Sequence, residues 1–204
     1  GSEMCIRDRS DSGLHRFCFR MDIPENSFFD FHTHNLQAQP GTAIVNLPEA
    51  ALRCPAAFVL TPGALYSAGI HPWWTPVADE ELWAGWEYWL RHPQVVAVGE
   101  CGLDRMRGGD LLLQEEVFMR QAEKAEELHL PVTVHCVRAF DRLLALRRRL
   151  RPQVRWTVHG FRGKPALALQ LLQAGMDLSF GGRYCAESYA LTPPDRRHRE
   201  TDDD

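Results

Sequence analysis

From about Asn26 to its end, the chain alternates short β-rich runs with helical stretches, and this alternation limits the fold more than any other feature. The candidate strands are FFDFH (28–32), TAIVNL (42–47), LYSAGI (65–70), VVAVGE (95–100), PVTVHC (131–136), RWTVHG (155–160), DLSFG (177–181) and the weaker HRETD (198–202). The fourth to sixth are continuous and rich in valine, as in strands of a parallel sheet covered on both faces. Between them, Asp79 can cap a helix with Leu82, Trp86, Trp89 and Leu90 on one face, stopped by Pro93. Asp110 can cap another, with Leu111, Phe118, Ala122 and Ala125 inward and Glu115, Glu116, Glu123 and Glu127 outward. Pro165 suits a first helical turn and Gly175 the end of that helix. Arg147, Arg148 and Arg149 close the helix that begins near Phe140 and read as a solvated face. Strand–helix alternation makes a parallel sheet with right-handed crossovers. Eight strands fit an α/β fold of the (β/α) barrel, TIM-barrel-like type.

The 204 residues suffice for one such domain and make a compact barrel. TDDD follows the last strand directly, so the final helix is expected to be missing. Residues 1–26 are polar and aperiodic, without the apolar core of a secretory signal, and read as a disordered or non-native leader. Residues 27–204 are then the barrel. The formal net charge of -4 attracts no polyanion in general, so capture of one must come from local cations or metal ions. No apolar run approaches the roughly 18 residues of a membrane span. The six cysteines are scattered with no CxxC pair, as in a cytoplasmic protein with free thiols. Nothing points to an obligate protein partner.

Five of nine histidines sit at or just past the end of an apolar strand: His32, His34, His71, His135 and His159. In FFDFHTH, side chains alternate, so His32 and His34 share one face and can converge on a metal ion. Asp30 shares that face and can orient a ligand from behind. In VVAVGECGLD, Glu100 follows a strand too apolar to favour a charge, with Gly99 and Gly102 leaving room around it. It is either a carboxylate exposed at a strand end or one that bridges two metal ions. PVTVHC and RWTVHG end alike in His135 and His159, and Asp202 completes the set. Strand ends of a closed barrel meet at one mouth, where sites of this fold lie. The mixed N/O donors suit zinc, manganese or magnesium. Six donors exceed the needs of one tetrahedral ion, so two divalent ions fit, or one ion with the other groups as base and supports.

The segments FHTH (31–34), AGIHPWW (68–74), GECGLD (99–104), PVTVHC (131–136), VHGFRG (158–163) and ETD (200–202), in this order, resemble the TatD family of metal-dependent deoxyribonucleases, an amidohydrolase-like group. The resemblance is to a short bacterial subgroup. It implies a TIM-barrel-like fold with His32, His34, Glu100, His135, His159 and Asp202 as metal ligands and His71 beside the scissile phosphate. The text departs from the family at Asn35-Leu36-Gln37 after the first motif, and at Arg138, displaced by one place after His135. The implied activity is attack of metal-activated water on a phosphodiester of DNA or a smaller phosphoester. Glu100 and Asp202 would be catalytic, with Asp202 as general base. Arg138, Arg162 and Lys164 lie where they can bind phosphate oxygens, and Phe161, Trp73 and Trp74 can stack on a base or pack in the core. The rival readings are an amide or lactone hydrolase with the same centre, and a non-catalytic metal-binding protein.

Overall fold

A computed structural model describes residues 4–7, 16–19 and 29–202. Phe28 and most of the leader lie outside them. Within the leader, β1 (Met4–Arg7) and β2 (Arg16–Phe19) pair antiparallel in a sheet of their own.

Eight parallel strands close a barrel: β3 (Asp30–Thr33), β4 (Ala43–Asn46), β5 (Leu65–Ala68), β6 (Val95–Asp104), β7 (Val132–Val137), β8 (Trp156–Val158), β9 (Asp177–Phe180) and β10 (Arg197–Arg199), which returns to β3. Around them lie α1 (Glu49–Arg53), α2 (Glu80–Leu90), α3 (Leu111–Leu128), α4 (Phe140–Leu150), α5 (Pro165–Gln173) and α6 (Ala186–Leu191). A 3-10 helix, Pro72–Val77, follows β5. Among the described residues no helix follows β10. The last strand is instead held at both ends. Arg196 donates to Asp177 at 2.9 Å, and Thr201 donates through Oγ1 and N to Asp30 at 2.5 and 3.1 Å. No described helix is long and apolar enough to cross a membrane.

The helix punctuation works as the sequence suggests. The Asp79 carboxylate accepts from Leu82 N at 2.9 Å and the Asp110 carboxylate from Leu112 N at 3.2 Å, each filling an orphan donor of a first turn. Leu82, Trp86, Trp89 and Leu90 are buried. The indole N–H groups of Trp86 and Trp89 donate to Ala68 O and Ala51 O, so these large side chains enter the core without an unpaired donor. Phe118 of α3 meets Trp156 of β8 edge to face at 5.0 Å. Burying each such ring contributes about 2–3 kcal/mol.

Three expectations need correction. Glu115 does not face solvent: it is 8% exposed and forms a two-pronged ion pair with Arg142 at 2.5 and 2.8 Å, tying α3 to α4. Arg147 is not a solvated end either. Its guanidinium donates to Ala174 O and Gly175 O and covers Trp156, so it closes the floor of the barrel. The strand at 95–100 runs on to Asp104, because Gly102 comes so near to β7 that a Cβ there would lie 2.0 Å from His135 O. The pairing of β6 with β7 shifts register between Val98 and Cys101, an irregularity that re-aims Glu100.

Gly85 sets the approach of α1 and α2, since a Cβ there would lie 1.6 Å from Leu52 O. In an open helix Gly→Ala gains about 1 kcal/mol. Here Gly85→Ala is expected to lose about 3 kcal/mol through overpacking, read as a lower urea midpoint at unchanged slope.

Candidate active site

The register of the barrel brings the candidate ligands to one mouth. Val134 pairs with Val158, so His135 and His159, the next residues of β7 and β8, stand side by side, their rings 5.4 Å apart. His32 and His34 of β3 present their rings edge to face at 5.2 Å. Asp202 comes up three residues after β10. Glu100 stands in the middle, 3% exposed.

The two oxygens of Glu100 face different groups. Oε2 lies 3.4 Å from His32 Nε2 and 3.2 Å from His34 Nε2, and both nitrogens also face Asp202 Oδ1, at 3.3 and 3.1 Å. Oε1 lies 2.6 Å from His135 Nδ1, 2.8 Å from His159 Nε2 and 3.1 Å from His71 Nε2. Behind Glu100, Asn46 Oδ1 accepts from its backbone N–H at 2.7 Å and from Ser67 Oγ at 3.0 Å.

His71 is 7% exposed and lies beside Glu100. It stands in the turn before Pro72, its Nδ1 accepting from Trp73 N at 3.2 Å, and its Nε2 reaches Glu100. Arg138, Arg162 and the candidate ligands His135, His159 and Asp202 line a cavity of about 340 Å³ at the mouth. Lys164 is exposed just before α5. Phe161, for which the sequence left base stacking and core packing open, is 1% exposed and packs edge to face with Phe140 and Phe180, and it also borders the cavity. Trp74 packs partly buried against the core, whereas Trp73 is 43% exposed at the mouth. Asp30 holds Thr201, next to Asp202, and its carboxylate also accepts from the His32 backbone N–H.

Two further carboxylates stand behind the ligands. Asp104 Oδ2 lies 3.4 Å from His135 Nε2 and accepts from the Trp73 indole at 2.6 Å. Glu200 Oε1 accepts from Gly160 N at 2.6 Å and lies 3.5 Å from His159 Nδ1. Both belong to the motifs GECGLD and ETD. Their signal is a buried acid two to four places from the ligand.

The charges sustain one another. Burial opposes ionisation of Glu100, but His159, His135 and His32 outweigh it and hold the carboxyl well below the usual range. Asp202 is likewise opposed by burial and held down by His32 and His34. Burial works against protons on His159 and His32, yet Glu100 with Glu200 raises the first well above its ordinary value, and Asp202 with Glu100 raises the second. Asp202 and then Glu100 lift His34 to about 9 against partial burial. His71 differs: burial outweighs Glu100 and keeps it neutral.

The donor set fits divalent cations. His32, His34, Glu100 and Asp202 form one compact group and His71, Glu100 and His135 another. His32 Nε2 and Asp202 Oδ1 are buried without a hydrogen-bond partner among the described residues. Such orphans are rare unless something else satisfies them. Donor separations of 3.1–3.4 Å in the first group match those of ligands sharing one ion at about 2.1 Å.

A family model described as TatD related DNase matches residues 31–203. The chain belongs to the TatD-related DNase family. Curated TatD relatives named 3'-5' ssDNA/RNA exonuclease include that of Klebsiella pneumoniae (strain 342), 35% identical over 135 residues, covering 63% of this chain and 50% of the relative. That of Musicola paradisiaca (strain Ech703) is 36% identical over 159 residues, covering 69% and 58%. The chain thus spans about half the length of these TatD relatives. Among solved structures it resembles YJJV, a TatD homologue from Escherichia coli K12, with TM-score 0.69, 24% identity, and 86% and 78% of the two chains covered. A TatD family hydrolase from Entamoeba histolytica gives TM-score 0.66, 20% identity, and 86% and 73% coverage. At these identities the TatD likeness is one of fold.

Protonated imidazoles cannot ligate a metal, so binding at pH 7 must displace protons from His34, His32 and His159. Calorimetric titration of chelator-treated protein with manganese or zinc is expected to show net proton release, seen as an enthalpy that changes with the buffer's ionisation enthalpy. Apparent affinity should climb with pH up to about 9, the value of His34. An enthalpy independent of buffer would contradict this protonation pattern.

Proposed function

We propose that this chain is a divalent-metal-dependent hydrolase that cleaves a phosphodiester of single-stranded nucleic acid or a smaller phosphoester. The observation that carries the reading is Glu100, whose two oxygens each face a separate group of donors. His32, His34, Asp202 and Glu100 Oε2 would hold one ion, and His135, His159 and Glu100 Oε1 a second, with zinc, manganese or magnesium suited to the N/O set. When bound, such ions supply Lewis acidity toward a phosphoryl oxygen and a lower pKa for water.

The chain's own groups supply the rest. Asp202, kept ionised by His32 and His34, is the base that accepts the proton of the attacking water. His71, neutral and held by Trp73 N, keeps its Nε2–H on Glu100 and so fixes that carboxylate's orientation. Asp104 and Glu200 orient His135 and His159 from behind. Arg138 and Arg162 line the cavity and carry guanidinium groups suited to phosphate oxygens, and exposed Lys164 follows Gly163 of its lining. The names of the relatives support a nucleic-acid strand as substrate. The cysteines whose side chains are described, Cys54, Cys101, Cys136 and Cys185, are unpaired, which supports a cytoplasmic setting.

Cleavage of a labelled single-stranded DNA oligonucleotide, with manganese, magnesium or zinc added, is the direct test. Glu100→Gln is expected to cut turnover by more than about 100-fold, because it removes the shared charge while changing little volume. Turnover of lactones or amides without phosphodiester cleavage would overturn the substrate class. Full metal occupancy with no turnover would overturn the enzymatic reading.

A further inference from the structure

Beyond the ligands, the mouth carries an arginine whose surroundings are built around it. Arg107 lies in the loop between β6 and α3, and its guanidinium sits 4.5 Å above the centre of the Trp73 ring. Among the described residues the guanidinium has no carboxylate or hydrogen-bond partner. The neighbouring Arg105 differs, donating to Arg138 O at 2.7 Å and pairing with Asp141 at 3.1 Å. A guanidinium held over an indole face keeps N–H donors free for an anion.

Both halves of the stack are fixed by buried groups. The Trp73 indole donates to Asp104 Oδ2 at 2.6 Å, the oxygen that lies 3.4 Å from His135 Nε2. Gln114 of α3, fully buried, accepts from Asp104 N at 2.7 Å and donates to Arg107 O at 2.7 Å, so one side chain anchors the loop at its start and at its middle. Thr75 donates to Gly108 O at 2.8 Å, and a Cβ on Gly108 would lie 2.1 Å from Pro72 O. The loop is therefore seated directly on the 3-10 helix that carries Trp73. The Trp73 ring is in turn 4.8 Å from His71 and 6.1 Å from His135.

We propose that Arg107, stacked on Trp73, is an anion subsite beside the metal centre. It binds a phosphate adjacent to the scissile one in a single strand. The subsite rests on the phosphodiester reading above and adds to it a preference for substrates with more than one phosphate. A flat cation held in advance spends little rotamer entropy on binding. Asp104 links the subsite to the centre, because the same carboxylate oxygen faces His135 and holds the platform.

The test reads binding without turnover. Chelator-treated protein is titrated into a fluorescein-labelled single-stranded oligothymidylate at several salt concentrations, and anisotropy gives the affinity. Arg107→Ala is expected to weaken binding about tenfold and to make the salt slope shallower by about 0.7, the loss of one phosphate contact on a single strand. Trp73→Ala should weaken binding in the same direction, and Arg107→Lys should recover only part of the loss, since lysine keeps the charge but not the planar guanidinium. Arg105→Ala, already committed to Asp141, is the control and should change little. Circular dichroism melts of each variant check the fold. Arg107→Ala within twofold of the wild type at unchanged slope, or Arg105→Ala equal to it, would overturn the proposal. With manganese added, Arg107→Ala should raise KM for the oligonucleotide more than it lowers kcat. Absence of wild-type hydrolysis would overturn the phosphodiesterase reading, while the binding comparison would still decide the subsite.

Discussion

The structure depends on one buried carboxylate surrounded by imidazoles. Glu100 could not remain ionised at 3% exposure without compensation, because an isolated charge in a dry interior costs several kcal/mol. His32, His34, His135 and His159 provide it at 2.6–3.4 Å. Protons on His32, His34 and His159 and divalent cations are alternative ways of balancing the same negative groups. The raised pKa values of His32, His34 and His159 therefore reflect the same geometry as the metal fit.

The barrel exists to bring these groups together. No two neighbouring ligands in sequence, apart from His32 and His34, are fewer than twenty residues apart, and only closure of the sheet from β10 to β3 brings Asp202 beside them. Closure is itself polar. Thr201 hangs on Asp30, and the two residues beside Thr201 are Glu200, which faces His159, and Asp202, which faces His32. A loss of the Asp30–Thr201 contact would thus be felt at both groups of donors.

Much of this was legible in the sequence because barrel strands are short apolar runs and their ends are marked by residues that an apolar run does not favour. All eight barrel strands follow that reading, as do the caps at Asp79 and Asp110. The misreadings share a cause. Glu115 and Arg147 were assigned by chemical type along one element, whereas their partners, Arg142 and Ala174 O, come from others. Asn46, Asp104, Gln114 and Glu200 were missed for the same reason. Each is polar and buried and takes a partner from outside its own helix or strand, so periodicity gives it no mark. The extension of β6 to Asp104 was hidden because Gly99 and Gly102 read only as room around Glu100, yet Gly102 is what admits the backbone of β7.

The central claim is that one carboxylate, Glu100, joins two groups of donors into a single metal centre. Anomalous diffraction from crystals soaked in manganese tests it most directly. The account predicts two peaks per chain, one beside Glu100 Oε2 among His32, His34 and Asp202, the other beside Glu100 Oε1 among His135 and His159. Peaks elsewhere, or none at full soaking concentration with the barrel intact, would contradict it.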